Sequence, residues 1–256
     1  MFDYDKLLQE GLQYFWPMAR MSGLLVTLPI LDSTFIPSRI RIILAFFLSV
    51  IVVSTIPKVD IHDFDLGTLV IVGKEVLLGM MIGFVFQLLF QSFVIGGQII
   101  AMQSGLGFAT LVDPMSNANV PLVSQLYTLL VSLVFLAMDG HLAVLQFIVS
   151  SFQIIPLHHV TFTALQFQTL LNFSTWIFSG AVSIAIPAIV ALLVVNLGFG
   201  IMARAAPQLN IFSIGFSITL TLGVIVLYLT LNQVLSHVEV AMNRGFELIH
   251  ELVGQA

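Results

Sequence analysis

Six histidines, thirteen carboxylates and no cysteine are the material for catalysis or metal binding in this 256-residue chain. The densest set is Lys58, Asp60, His62, Asp63 and Asp65, between Pro57 and Gly67. Aspartate and histidine together could ligate a divalent cation. This is also the one plainly solvated loop in the chain, and a solvated turn is the reading its composition favours. His158 and His159 are adjacent, which suits chelation from one face poorly. No H-E-x-x-H pair, P-loop, G-x-S-x-G elbow or dinucleotide-binding glycine turn occurs. Without a thiol there is neither disulfide nor thiolate chemistry. No catalytic set, metal or cofactor is expected, and the chain is not read as an enzyme.

The elements around these residues are apolar to an unusual degree. Hydrophobic residues make up 59% of the chain, charged residues 8%, and the mean hydropathy is +1.08. Soluble domains carry about 25% charged residues, so this composition reads as an integral membrane protein. Residues 76–112, 140–203 and 205–238 contain no Asp, Glu, Lys or Arg. Each run exceeds the roughly 20 residues that cross a bilayer as a helix. The runs are continuous, whereas barrel strands alternate in segments of about ten residues. The net charge of −5 is spread thinly and forms no basic patch, which excludes a nucleic-acid footprint. Met1 to Lys6 lacks the basic start of a secretory signal, so insertion is expected from the first apolar segment.

Six main apolar segments are expected: 12–31, 40–56, 69–102, 120–138, 141–157 joined loosely to 170–202, and 209–235. The connecting loops then fall at 32–39, 57–67, 105–119, 158–168 and 204–208. In the tail, 236–256, Val238, Met242, Phe246, Ile249 and Leu252 interleave with charged residues. That pattern predicts a short amphipathic helix at the interface or on a partner.

Polar and small residues within the apolar runs are patterned. Gln87, Gln91 and Gln98 share one helical face. An amide facing hydrocarbon lacks partners, so this face should meet protein or water. Gly79 and Gly83 form a small-xxx-small pair that admits a close neighbour. Packing within one bundle and packing between subunits or along a pore both fit these five residues. Gly96-Gly97 and Gly105-x-Gly107 should loosen the helix further on. Arg20, Lys74 and Glu75 lie inside apolar runs, where charges usually face protein or a wet cavity. Lys74 and Glu75 point about 100° apart on a helix, so a partner on another helix is expected.

Two connections carry distinctive wording. In "NLGFGIMARAAPQLNIFSIGFSITLTLG", residues 196–223, Gly198 and Gly200 soften a helix end, Arg204 caps its last turn and Pro207 stops it. Asn210 can then cap the next helix. "GFATLVDPMSNANVP", residues 107–121, is too polar for lipid and too poorly charged for a free loop. Irregular backbone at membrane depth is tolerated only where it is buried in protein or lines a cavity.

The stretch "ARAAPQLNIFSIGF" resembles the FliR family, the flagellar export-gate proteins of type III secretion. So do "FIPSRIRIILAF", "GKEVLLGMMIGFVFQLLF" and "GQIIAMQSGLGFATLVDP". The resemblance implies an all-α, polytopic membrane-type protein with kinked helical hairpins. A FliP-like half, about 1–165, would precede a FliQ-like hairpin and tail, about 166–256. It implies assembly with FliP and FliQ, with FlhB and FlhA at the base and inner rod proteins above. Unfolded flagellar subunits would pass through the centre. The expected location is the bacterial inner membrane, in the flagellar basal body, touching membrane lipid and lying largely on the periplasmic side.

In such a gate the central loop acts as a plug. Carried onto this chain, that role falls on Gly105, Leu106, Gly107, Phe108, Ala109, Thr110, Leu111, Val112, Asp113, Pro114, Met115, Ser116, Asn117 and Asn119. A re-entrant loop that only ties two helices is the plainer reading. Gly79, Gly83, Gln87, Gln91 and Gln98 would serve subunit packing, and Arg204, Pro207 and Asn210 the hairpin turn. A secondary transporter for a small solute is the alternative. It calls for matched helix breaks in two inverted halves, and the breaks at Gly96-Gly97 and Gly198–Gly200 are not clearly matched.

Overall fold

The computed structural model describes the backbone of residues 4–31, 36–54, 56, 66–107, 121–156, 160–206 and 211–254. All regular structure among these residues is helical: α1 (Tyr4–Thr27), α2 (Ser38–Val53), α3 (Leu66–Ser104), α4 (Leu122–Ala137), α5 (Gly140–Ile154), α6 (Ala164–Ala205) and α7 (Ile211–Gly254). The all-α membrane architecture expected from the sequence is present. Stretches within α3, α6 and α7 are long and apolar enough to cross a membrane.

Helix ends follow local chemistry. Pro37 and Pro121 precede α2 and α4 with φ near −58° and −56°, values their rings preset. Asp139 separates α4 from α5 at φ 55°, in the left-handed region. Among L-residues, Asp and Asn visit that region most readily. The carbonyl of Asp139 then accepts from the amides of Leu142 and Ala143 at 2.9 and 3.0 Å, starting α5. At the head of α6, Thr163 and Gln166 form a reciprocal capping box. The Gln166 amide donates to Thr163 Oγ1 at 3.3 Å, and the Thr163 amide donates to Gln166 Oε1 at 3.0 Å.

Two expectations are corrected. The tail is not a separate short helix: α7 runs from Ile211 to Gly254, because no Gly or Pro interrupts residues 224–244. Its amphipathic pattern is real, but its apolar side packs within the chain. Val238, Met242, Ile249 and Leu252 are buried, and the Phe246 ring meets Phe86 edge-on at 5.3 Å. Segment 141–157 is not joined to the helix after it. α5 ends at Ile154, Pro156 is non-helical, and α6 starts earlier than expected, at Ala164.

The chain forms two compact units. The first comprises residues 1–88, 139–172 and 243–256. Here α1 packs against α2 and runs parallel to the first half of α3. Trp16, Met21, Leu24, Leu25, Phe86 and Phe152 are buried in it. The second comprises residues 89–138 and 173–242. Its core includes Phe93, Ile100, Tyr127, Val131, Ala185 and Leu192, with Phe90 edge-on to Phe135 at 5.9 Å. α3, α6 and α7 each supply residues to both units, so compactness does not follow a single cut along the sequence.

The Asp139 conformation gives a direct test. Asp139→Val should destabilise the detergent-purified protein by about 1–2 kcal/mol, the cost of a left-handed L-residue, while Asp139→Gly should match or exceed the parent. Thermal unfolding reads both, and equal midpoints for Val, Asp and Gly would show that the turn does not hold that φ.

Candidate functional site

Arg20 lies in α1, which carries it into the first unit among apolar neighbours. Its guanidinium is spent in three directions. Nε donates to Glu75 Oε2 at 2.7 Å, Nη1 to Ser151 Oγ at 2.8 Å, and Nη2 to the Ile155 carbonyl at 3.2 Å. The Phe152 ring lies 3.9 Å from its central carbon, a cation–π distance. Both charged side chains are 0% exposed. The partner expected for Glu75 is therefore Arg20, and Lys74 next to it is half-exposed. Three segments converge on one cation: α1, α3 and the end of α5. Among the described residues Glu75 Oε1 has no hydrogen-bond partner, and the carboxylate holds the arginine through Oε2.

Glycines let the helices approach closely enough for this contact. A side chain at Gly23 would run into the Val76 carbonyl, one at Gly79 into the Arg20 carbonyl, and one at Gly83 into Thr27 Oγ1. Thr27 Oγ1 can also donate across the seam to the Met80 carbonyl at 3.3 Å. The close approach expected of Gly79 and Gly83 is met by α1 of the same chain. A sister subunit is not needed to explain these two residues.

In the second unit a similar seam runs along the end of α3. A Cβ at Gly97 would stand 2.7 Å from Ser124 Cα, and Ser124 Oγ donates to the Val94 carbonyl at 3.0 Å. Gly96 faces Ala181 and Ile184 of α6, and Gly223 of α7 faces Ser104. Gly96 and Gly97 do not loosen α3, which continues to Ser104. They are where α4 and α6 press against it.

α3 ends at Ser104, and Gly105 follows with a φ of +81° that favours glycine. Its Cα side faces Phe216 and Leu220 of α7. The Gly107 amide reaches back to the Ala101 carbonyl at 2.9 Å. The first three plug candidates, Gly105, Leu106 and Gly107, thus turn tightly on the end of α3. The others, Phe108 to Asn117 and Asn119, lie outside the described residues. So do Pro207 and Asn210, and so does the solvated loop at 57–65.

The glutamine face divides. Gln91 is exposed, while Gln87 and Gln98 are half-buried. Gln87 Oε1 is shielded from solvent yet has no hydrogen-bond partner among the described residues. Arg204 is exposed in the last turn of α6, with no hydrogen bond or ion pair among the described residues. Gln166, inside the expected loop 158–168, was not singled out by sequence reasoning. It is buried, and its Nε2 donates to the Leu252 carbonyl at 2.9 Å. The T-x-x-Q spacing of a capping box was the available signal. No cluster of three or more His, Asp or Glu suits a metal among the described residues.

Residues 12–245 match the family described as bacterial export proteins, family 1. The chain is similar to the flagellar biosynthetic protein FliR of Escherichia coli (strain K12), 32% identical over 242 residues, 94% of this chain and 93% of the relative. It is 34% identical over 227 residues to the FliR protein of Buchnera aphidicola subsp. Baizongia pistaciae (strain Bp), covering 89% and 88%. To that of Pectobacterium carotovorum subsp. carotovorum it is 32% identical over 243 residues, covering 95% and 93%.

Removing one member of the buried pair should be far worse than removing both. Arg20→Met leaves Glu75 buried and uncompensated, at a cost of about 3–5 kcal/mol. Arg20→Met with Glu75→Leu should recover most of that loss, and Arg20→Lys should not, because lysine lacks the three-way fork. Thermal unfolding of the purified variants measures this. A double variant as unstable as Arg20→Met would show that the charge pairing is not what the site depends on.

Proposed function

The chain belongs to the bacterial export proteins of family 1, among their FliR members, and we propose that it is a structural and gating subunit of a flagellar protein-export channel. It is a membrane-embedded component of flagellar protein export. The finer reading is that it assembles with FliP and FliQ, with FlhB, FlhA and inner rod proteins adjoining. The assembly passes unfolded flagellar subunits across the inner membrane, much of it on the periplasmic side.

One observation carries this reading. The apolar surface of the long helices extends much further than a bilayer can cover. α6 is 42 residues long, about 63 Å at 1.5 Å per residue, against a hydrocarbon core of roughly 30 Å. Its exposed large hydrophobic residues run from Leu165 to Met202. Only 33% of its most apolar window is buried within the chain, and 22% of that of α7. A tilt within the ordinary range of 0–40° shortens a helix too little to place all of this in lipid. The remainder calls for protein neighbours, as a subunit of a larger helical assembly would have. Exposed Gln91 suits such a neighbour as well.

The α6–α7 pair supports a hairpin built for this use. Ser183 of α6 hydrogen-bonds His237 of α7 at 3.2 Å, and Phe199 lies against Gly215. The plug reading of Gly105–Asn119 rests on composition and on the resemblance.

Co-expression with FliP and FliQ, followed by mass determination of the purified material, tests assembly: a chain that purifies alone would overturn it. Deleting residues 110–117 tests gating. The complex should still assemble, and cells should admit a small impermeant dye and grow poorly. A deleted complex recovered in normal amounts that stays tight would remove the plug from the reading.

A further inference from the structure

Residues 104–107, where α3 gives way to the plug candidates, are held by more than their own helix. Ser104 Oγ and the Gly107 amide both donate to the Ala101 carbonyl, at 3.1 and 2.9 Å. The stretch thus folds back on the last turn of α3, and Ser104 and Gly107 are buried. α7 covers it. Phe216, Leu220 and Gly223 stand at i, i+4 and i+7 there, on one helical face. A Cβ at Gly105 would stand 3.3 Å from the Phe216 ring and 3.8 Å from Leu220 Cδ2, and one at Gly223 would run into Ser104 Cβ. Gly223 is buried and Leu220 half-buried.

We propose that this face of α7 is the seat of the plug loop, with Phe216 and Gly223 as positioning residues for closure. This rests on the plug reading above and names what sets the position of the loop. The two ends of the loop are held by different helices. α4, which follows it, is tied to α3: Ser124 Oγ donates to the Val94 carbonyl at 3.0 Å, and Gly97 leaves room for Ser124. The near end lies against α7. A displacement of α7 relative to α3 would therefore move one end of the loop and leave the other in place. The chain reverses at Gly105, with its φ of +81°, where the Phe216 ring stands, so the ring limits how close the turn can come to α7. Gly223 sets the opposite limit, because a side chain there would hold Ser104 off the helix. A ring on one turn and a bare backbone on another fix the height of the seat from both directions.

Variants co-expressed with FliP and FliQ test this by recovery of the complex and by entry of a small impermeant dye into the cells. Phe216→Ala removes the ring beside Gly105. It should raise dye entry at least threefold, with recovery within twofold of the parent. Phe216→Tyr keeps the ring and should stay tight. Gly223→Ala puts a methyl into Ser104 and should leak as well. Adding Ser104→Gly gives back the room and should return dye entry to within twofold of the parent. That rescue separates seating from a general loss of packing, because Ser104→Gly by itself only removes contacts. Phe216→Ala and Gly223→Ala that both stay tight, Phe216→Tyr that leaks as much as Phe216→Ala, no rescue by Ser104→Gly, or recovery that falls more than twofold would each overturn the proposal. The deletion of residues 110–117 is run in parallel. A leaky deletion beside two tight α7 variants defeats this inference alone, whereas a deletion that assembles and stays tight removes the plug reading and this inference with it.

Discussion

A fully buried arginine is the constraint to which much of the first unit answers. An ion the size of a guanidinium or carboxylate costs several kcal/mol to take out of water, even after the protein relaxes. The chain offsets that cost with a carboxylate from α3, a hydroxyl and an aromatic face from α5, and the carbonyl of Ile155 just beyond it. None of these reaches Arg20 unless the helices lie almost in contact. Gly23, Gly79 and Gly83 make that possible, because each gives up a side chain where the opposite backbone passes. The glycines and the ion pair are thus one device. The seam brings the charges together, and the charges tie its two sides.

The second unit reaches close packing without charge. Ser92, Ser104 and Ser124 are buried, and each returns its hydroxyl to a main-chain carbonyl. Gly180 of α6 fits against Ser92, Gly223 of α7 against Ser104, and Gly97 of α3 against Ser124. Hydroxyls bonded in this way let a membrane-type helix carry polar residues without exposing unmet donors. On the outer faces the pattern reverses: large aliphatic and aromatic residues point away from the chain over far more than a bilayer's thickness. Much of the chain's apolar content is therefore surface and not its own core.

How much of this was legible in the sequence depended on the range of the interaction. Charge-free apolar length gave the helices, and α2 and α4 start within two residues of where their apolar segments were expected to begin. The need of Glu75 for a partner on another helix followed from the 100° offset between it and Lys74. Arg20 stood out, with Lys74 and Glu75, as one of three charges inside apolar runs. Ser151 and the Ile155 carbonyl did not, since nothing local marks a residue more than 130 positions away as the third point of contact. Gly96 and Gly97 were misread as softening α3 because a glycine's local effect is entropic, while its effect here is to admit α4 and α6. The tail was misread as separate because charge returns at Glu239, although the backbone offers no reason to stop. The capping box at Thr163 was written in the sequence and overlooked among the loop residues around it.

That capping box has a mechanical side. Gln166 spends its carbonyl on its own helix start and its amide on the Leu252 carbonyl, near the end of α7. The two longest helices are covalently joined near Ala206 and fastened again by this one side chain, forty residues earlier along α6. One side chain thus serves two helices at once: a glutamate in its place would keep the oxygen that accepts at the start of α6 and lose the N–H that reaches α7.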